Sequence, residues 1–327
     1  EQDVDFFKYE FGKDFSNPKR LPNVHCSIQP VPLDQPSSHL KSLMVEISPD
    51  VSLGLGHIAT FLLKRAAGNR TVVFLTHGCR EMLDAIERGE VKDYLAQERK
   101  IENGVPRPAR INHKEREAVA LADFIITHSV STRLLYHYFF PEHALKIATD
   151  VVWFGEWVQR EARSFATLRK PFAARDVDVL FIAGSWSRPE KNYALVRRLV
   201  SSLKGLNIHI VGEAETRVAH STHHGLIANR ETLFSLLGRT KALVCPSLFD
   251  AAPAILFEGS AMECNLVASK NCGNWQICNE RLLVDPSTTE QFLQKTALSV
   301  SEKFDDNMSV FLQTNSYLSL LETLSVL

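Results

Sequence analysis

The sequence predicts an α/β protein built from two doubly wound parallel sheets with a cleft between them. Three observations predict it. Short runs that are apolar throughout, such as "TVVFLT" and "VDVLFIAG", alternate with stretches of helical period, the pattern of strands buried on both faces of a parallel sheet. This rhythm begins near residue 41, runs to 154, and restarts at 177. Between the two runs lies a charged, irregular segment, residues 156–176. At 327 residues, 45% hydrophobic and 23% charged, the chain is long enough for two such units, each Rossmann-like. The expected division is 1–155, a linker at 156–176, 177–300, and a C-terminal helix at 301–327.

Residues 1–40 are rich in Pro and polar residues and assign poorly. After them, "SLMVEIS" (42–48) reads as a strand, "GHIATFLLKRAAG" as a helix closed by Gly68, and "TVVFLT" (71–76) as a strand. A charged helical region follows. "DFIITHS" (123–129) is the next strand, "STRLLYHYFF" (131–140) a helix stopped by Pro141, and "LKIATDVVWF" (145–154) a strand-like exit. In the second half, strands "VDVLFIAG", "NIHIVG", "KALVCPS", "NLVAS" and "RLLVDP" alternate with helices "NYALVRRLVSSL", "NRETLFSLLGRT" and "TTEQFLQKTALSV". No internal repeat is visible.

The formal net charge of -1 argues against a dedicated nucleic-acid binder. No apolar run reaches the roughly 18 residues of a membrane span. The six cysteines are scattered without a CxxC pair, which fits reduced thiols in a cytoplasmic protein and no catalytic role. The chain begins with Glu and shows no apolar leader, so it reads as a fragment or processed product. The basic run Arg107, Arg110, Lys114 and Arg116 is mixed with acids. It reads first as a solvated face and second as a peripheral contact with an anionic membrane surface or a polyanionic acceptor.

In open α/β sheets, ligands bind beyond the carboxyl ends of the strands. Two candidate loops lie at such ends. "GSWSRPEKNY" (184–193) offers Gly184 and Ser185 for close backbone approach, and Arg188 and Lys191 as cations near a helix start, together suited to a diphosphate. Its bland alternative is a solvated loop in which Glu190 pairs with a cation. "FDAAPAILFEGSAMECN" (249–265) places Asp250 in a strand-end loop and Glu258 inside an apolar helix. A buried carboxylate needs a partner. That partner is either a vicinal pair of ligand hydroxyls, such as those of a ribose, or a nearby Arg or Lys.

"PSLFDAAPAILFEGSAMECNLVAS" resembles the E-x7-E signature of the retaining, family 4 glycosyltransferases of GT-B fold, and "FIAGSWSRPEKN" resembles their diphosphate loop. "HIVGE" and "HGLIANRETLFSLLGRTKALVCPS" resemble the segments between, so the match covers about 177–300. "VVFLTHG" and "EREAVALADFIITHSVSTRLL" match the preceding domain more loosely. The resemblance implies a GT-B architecture whose N-terminal domain is incomplete. It implies a transferase moving a hexose-like sugar from a nucleotide-diphosphate sugar to a hydroxyl of a glycan, a lipid-linked or a small-molecule acceptor. It implies no metal and no cofactor beyond the nucleotide-sugar co-substrate. By the same resemblance Glu258 holds the ribose and Asp250 faces the transferred sugar. Lys191 and Arg188 stabilise the leaving diphosphate, Gly184 and Ser185 approach it, and His77 reaches the reacting centre from across the cleft. Ala252, Pro253, Ala254 and Ile255 bring backbone to the sugar and phosphate.

The chain departs from the pattern. Its first acid is Asp, the Gly-rich loop is "AAPA" with one amide donor lost at Pro253, and Glu263 stands where the pattern has Gly. Two alternatives follow: a degenerate nucleotide-sugar-binding module without turnover, and a GT-B epimerase. "HSTHH" (220–224) lacks a nearby acid or Cys at ligand spacing, and the GxG of "SLGLGHI" reads as a tight strand-to-helix turn.

Overall fold

The computed structural model describes residues 4–11, 24–31, 41–42, 45, 51–68, 71–76, 78–87, 113–150, 155–284 and 288–314. Strands β1 (Val4–Phe11) and β2 (Val24–Val31) pair in parallel as a separate ribbon.

The first sheet carries four parallel strands in chain order: β3 (Val51–Leu55), β4 (Thr71–Leu75), β5 (Phe124–Thr127) and β6 (Ile147–Asp150). Its opening strand corrects the expectation of a strand at 42–48. Lys41, Ser42 and Val45 are helical, and the strand falls at "VSLGL". A short apolar run has no period that separates helix from strand. What fixes the strand is the turn after it. Gly56 has φ 81°, and a Cβ on Gly54 would lie 2.5 Å from Thr60 Oγ1, so the glycines let α1 (His57–Ala67) fold back against β3.

Helices α2 (Arg80–Glu87), α3 (His113–Leu121) and α4 (Val130–Phe139) complete this half. One buried acid organises them. Glu115 on α3 accepts from the Arg80 and Glu81 amides, both at 3.0 Å, and from the Tyr136 hydroxyl of α4 at 2.7 Å. It thereby caps the start of α2 with a side chain from another helix. Burial holds its carboxyl above the usual range, and the three donors work against that rise.

Residues 156–176, expected to be irregular, begin instead with α5 (Gly155–Arg163), whose Val158 and Ala162 pack with the apolar residues of the second half. The second sheet follows: β7 (Val177–Ser185), α6 (Tyr193–Ser202), β8 (Ile208–Glu213), the two-residue β9 (Thr222–His223), α7 (Arg230–Gly238), β10 (Thr240–Cys245), α8 (Ala254–Ala261), β11 (Asn265–Ser269), β12 (Leu283–Val284), α9 (Thr289–Ser301) and α10 (Met308–Thr314). The six strands run in the order β12-β11-β10-β7-β8-β9, all parallel.

Both faces are apolar, which accounts for the unbroken strand sequences. Val179, Phe181, Val244 and Val267 pack with α6 and α9, while Leu180, Leu243 and Leu266 pack with α7, α8 and α5. Burying a Phe or Leu fully is worth about 1.5–3 kcal/mol, so these two layers dominate the stability of the half. No helix among the described residues is long and apolar enough to cross a membrane.

The halves are in contact. Phe249, from the loop after β10, is 2% exposed and packs in the cluster of Phe74, Met82 and Tyr136 of the first half. Ser131 Oγ at the start of α4 donates to Lys270 O at 3.1 Å.

Candidate functional site

The order in which the chain lays down the strands of the second sheet reverses between β7 and β10. From β7 the chain proceeds outward to β8, and it returns to β10 on the other side. Such a switch point leaves a crevice at the carboxyl ends of its two strands. Both loops singled out in the sequence lie there. Ser185 ends β7, and a short 3-10 turn, Pro189–Lys191, follows with Arg188 at its N-cap, while Cys245 ends β10 and Asp250 follows five residues on. Two hydrogen bonds lock the loops together: Leu248 N donates to Glu190 O at 2.7 Å, and the Asn192 side-chain Nδ2 donates to Pro246 O at 3.1 Å.

A cavity of about 300 Å³ opens between these loops and the first half. Arg188, Glu190, Lys191, Phe249, Asp250, Ala251 and Ala252 line it from the second half, and Gly78, Leu83 and His128 from the first. Lys191 is ion-paired with Asp250, and Arg188 with Glu190. Burial pulls the Lys191 pKa down, but the Asp250 carboxylate more than offsets this and the net shift is upward, so the ammonium stays charged. An ammonium carries three donors, and Asp250 uses one. The Arg188 guanidinium is more than half exposed at the mouth.

The loop after β11 fixes Asp250 from behind. Gly273 N donates to Asp250 O at 2.6 Å, and Asp250 and Cys272 form an isolated parallel bridge. A Cβ on Gly273 would lie 1.7 Å from Ala251 O and 2.6 Å from Ser129 Oγ, so the backbone approach there requires glycine. Ser129 caps α4 by accepting from Thr132 N at 3.3 Å. The acid loop is therefore wedged between its own sheet and the first half.

Glu258 lies outside this cavity lining. It is 6% exposed on α8, and its Oε1 pairs with Arg230 Nη1 at 2.7 Å. The carboxylate in an apolar helix thus has a protein partner, the arginine alternative raised by the sequence. Burial still holds its pKa above the ordinary value, with Arg230 acting against burial. Pro253 stands at the N-cap of α8, and Ala254 and Ile255 form its first turn, half-buried. Gly184 and Ser185 end β7 outside the lining, and a Cβ on Gly184 would meet nothing within 4 Å, so close packing does not demand glycine there. His77 lies outside the described residues, between Thr76 and the cavity-lining Gly78.

Sequence reasoning missed two residues. His128 follows β5 directly, and the strand-end rule used for the other loops would have found it. Arg230 opens α7 in "NRET", and nothing local marks it as the partner of an acid on another helix. Glu263 has φ 57°, the left-handed region that favours glycine, which explains the expectation of Gly there. Its side chain pairs with Arg169, and Arg175 donates to the carbonyls of Met262 and Glu263 at 3.1 and 2.9 Å. Two histidines of 220–224 serve the fold: His223 Nε2 accepts from Val218 N at 2.9 Å, and His224 Nε2 meets His209 Nδ1 at 2.9 Å.

No protein-family model and no curated protein sequence matches the chain. Solved structures do. The apo form of the lipopolysaccharide outer core galactosyltransferase WaaB is similar with a TM-score of 0.63 at 12% identity, covering 92% of this chain and 84% of that one. A sucrose-phosphate synthase from Thermosynechococcus elongatus gives 0.61 at 15% identity, covering 99% and 89%. Anabaena HepE, in complex with UDP and glucose, gives 0.60 at 15% identity, covering 93% and 87%. At these identities the likeness establishes the fold: two Rossmann-like α/β units in the GT-B architecture.

Proposed function

We propose that the chain is a glycosyltransferase that moves a sugar from a nucleotide-diphosphate donor to a hydroxyl acceptor. One observation carries this reading: the β7/β10 switch point brings Arg188, Lys191 and Asp250 into one cavity whose opposite wall comes from the other half. The fold neighbours lend support, since HepE is described in complexes with UDP and with UDP-glucose and WaaB as a galactosyltransferase.

Sugar transfer from such a donor requires stabilisation of the departing diphosphate, a polar group near the developing oxocarbenium, and exclusion of water. Lys191 and Arg188 supply cations for the first, without a metal in this scheme. Asp250 sits beside Lys191 where it can face the transferred sugar, and His77 is assigned to the same centre from the first half. The wedge of Phe249 into the first half limits water on one side of the cavity. With retention at the anomeric carbon, the C1–O bond to phosphate breaks and the C1–O bond to acceptor forms on the same face. The acceptor proton passes to the leaving phosphate oxygen. Ala252, Pro253, Ala254 and Ile255 line the donor, and Glu258 takes the ribose diol. The acceptor is a glycan, a lipid-linked or a small-molecule hydroxyl, in a cytoplasmic setting that includes peripheral contact with a membrane.

The test is to supply UDP-glucose and UDP-galactose with a panel of hydroxyl acceptors, in EDTA, and follow UDP release and the anomeric proton of the product by NMR. Acceptor-dependent release with an α-linked product supports the reading. Tight binding without release favours the degenerate module, and a changed sugar without transfer favours an epimerase.

A further inference from the structure

Glu258 is a buried acid that has to remain ionised if it is to accept from two hydroxyls at once. Its surroundings show how that is arranged. Arg230, the first residue of α7, offers Nη1 to Glu258 Oε1 at 2.7 Å. The rest of the guanidinium is occupied elsewhere. Nε and Nη2 donate to Glu161 Oε1 and Oε2 of α5 at 3.1 and 2.9 Å, a bidentate fork, and Cζ lies 4.7 Å from the Phe234 ring centroid. The arginine is fixed on two sides and presents one edge to Glu258. Arg230 engages one oxygen of the Glu258 carboxylate, and a carboxylate has about four acceptor sites. Capacity is left on Glu258 for a ligand.

The same region is braced further. Gln159 Nε2 of α5 donates to Phe257 O at 2.7 Å, and the Phe257 ring lies against Gly155, where an added Cβ would come within 2.6 Å. The backbone on either side of Glu258 is thus held independently of the arginine.

We infer that Arg230 is the positioning residue for a vicinal diol of the donor, holding Glu258 ionised and oriented through one oxygen while Glu161 and Phe234 hold the arginine itself. This rests on the assignment of Glu258 to the ribose given above. Two charged groups face Glu258, Arg230 from α7 and Glu161 from α5, and they act in opposite directions on its proton affinity. Removing Arg230 raises that affinity, and removing the Glu161 charge lowers it. Because diol binding needs the carboxylate, affinity falls as pH drops through the Glu258 pKa, and the two changes displace this acid limb in opposite senses. A purely structural role for Arg230 gives no such opposition.

The experiment measures by calorimetry the Kd of UDP and of its 2′,3′-dideoxy analogue between pH 5 and 8, on the full chain and on Arg230→Gln, Arg230→Lys and Glu161→Gln, with thermal melts confirming folding. Titration of the diphosphate is common to all proteins and cancels in the comparison. The expected result is an acid limb moved up by about one pH unit in Arg230→Gln, the lower end of what an adjacent cation produces, and substantially restored in Arg230→Lys. In Glu161→Gln it moves down. Arg230→Gln should also lose most of the preference for UDP over the dideoxy analogue. If the full chain shows that preference and a folded Arg230→Gln keeps both it and the acid limb, the positioning role is wrong. If the full chain shows no preference, Glu258 holds no diol and the assignment beneath this inference fails as well.

Discussion

Lys191 and Asp250 are ion-paired across the β7/β10 switch point, so the two candidate loops are joined to each other by charge. Each side chain is 17% exposed, too open for the full penalty of a buried charge and too enclosed for free screening. Lys191→Met should weaken binding of a nucleoside diphosphate by about 10- to 100-fold, the loss expected for a charge-assisted hydrogen bond worth about 1.5–3 kcal/mol. Calorimetry checks it. An affinity within twofold of the parent would remove Lys191 from the diphosphate site.

Gly273 carries a second prediction. A Cβ there meets the Ala251 carbonyl carbon at 2.5 Å as well as its oxygen, and backbone cannot swing aside as a side-chain tip can. Gly273→Ala should destabilise by about 1–3 kcal/mol through overpacking. It should also displace the Asp250 loop, so that donor affinity drops together with melting temperature. A melting curve and a binding isotherm equal to the parent's would show the loop is not wedged as described.

Glu115 tests the first half alone. Glu115→Ala leaves two helix-start amides and the Tyr136 hydroxyl without their shared acceptor. Buried unsatisfied groups cost about 1–3 kcal/mol each, so a loss of roughly 3 kcal/mol or more in urea unfolding is expected, against about 1 kcal/mol for Tyr136→Phe. Equal, small effects would contradict the capping role.

The His209–His224 contact sets a pH limit. Burial, then neighbouring positive groups, hold both imidazoles below their ordinary 6.5 in the folded chain. A depressed folded pKa means the unfolded chain binds the proton first, so stability present above pH 6.5 is lost as pH falls through the folded values. His224→Gln should flatten the fall in melting temperature between pH 6.5 and 5. A parallel curve, merely offset, would locate the acid sensitivity elsewhere.

Much of the second half was legible because its strands are buried on two faces and read as unbroken apolar runs. "VDVLFIAG", "NIHIVG" and "NLVAS" are the clearest cases. Less could be read where the fold depends on contact at a distance. β9 is two residues long and has no pattern of its own, and β3 contains a Gly that only Thr60 explains. The candidate site divides in the same way. Asp250, Arg188 and Lys191 could be grouped from the sequence because strand ends converge by topology, and they line one cavity. Arg230 could not be named, because its partners sit on α5 and α8: the acid in the apolar helix called for a cation, but nothing in "NRET" marks this arginine as that cation.

The loops after β7 and β10 are the proposed seat of a nucleotide-diphosphate sugar. The most direct test of this is calorimetric titration of the chain with UDP, GDP, ADP and CMP and with their common sugar conjugates, in EDTA and again with magnesium. Saturable 1:1 binding of one nucleoside diphosphate and its sugar conjugate is expected, unchanged by magnesium and weakened by Lys191→Met. Absence of binding by every member of the panel to the folded chain would contradict it.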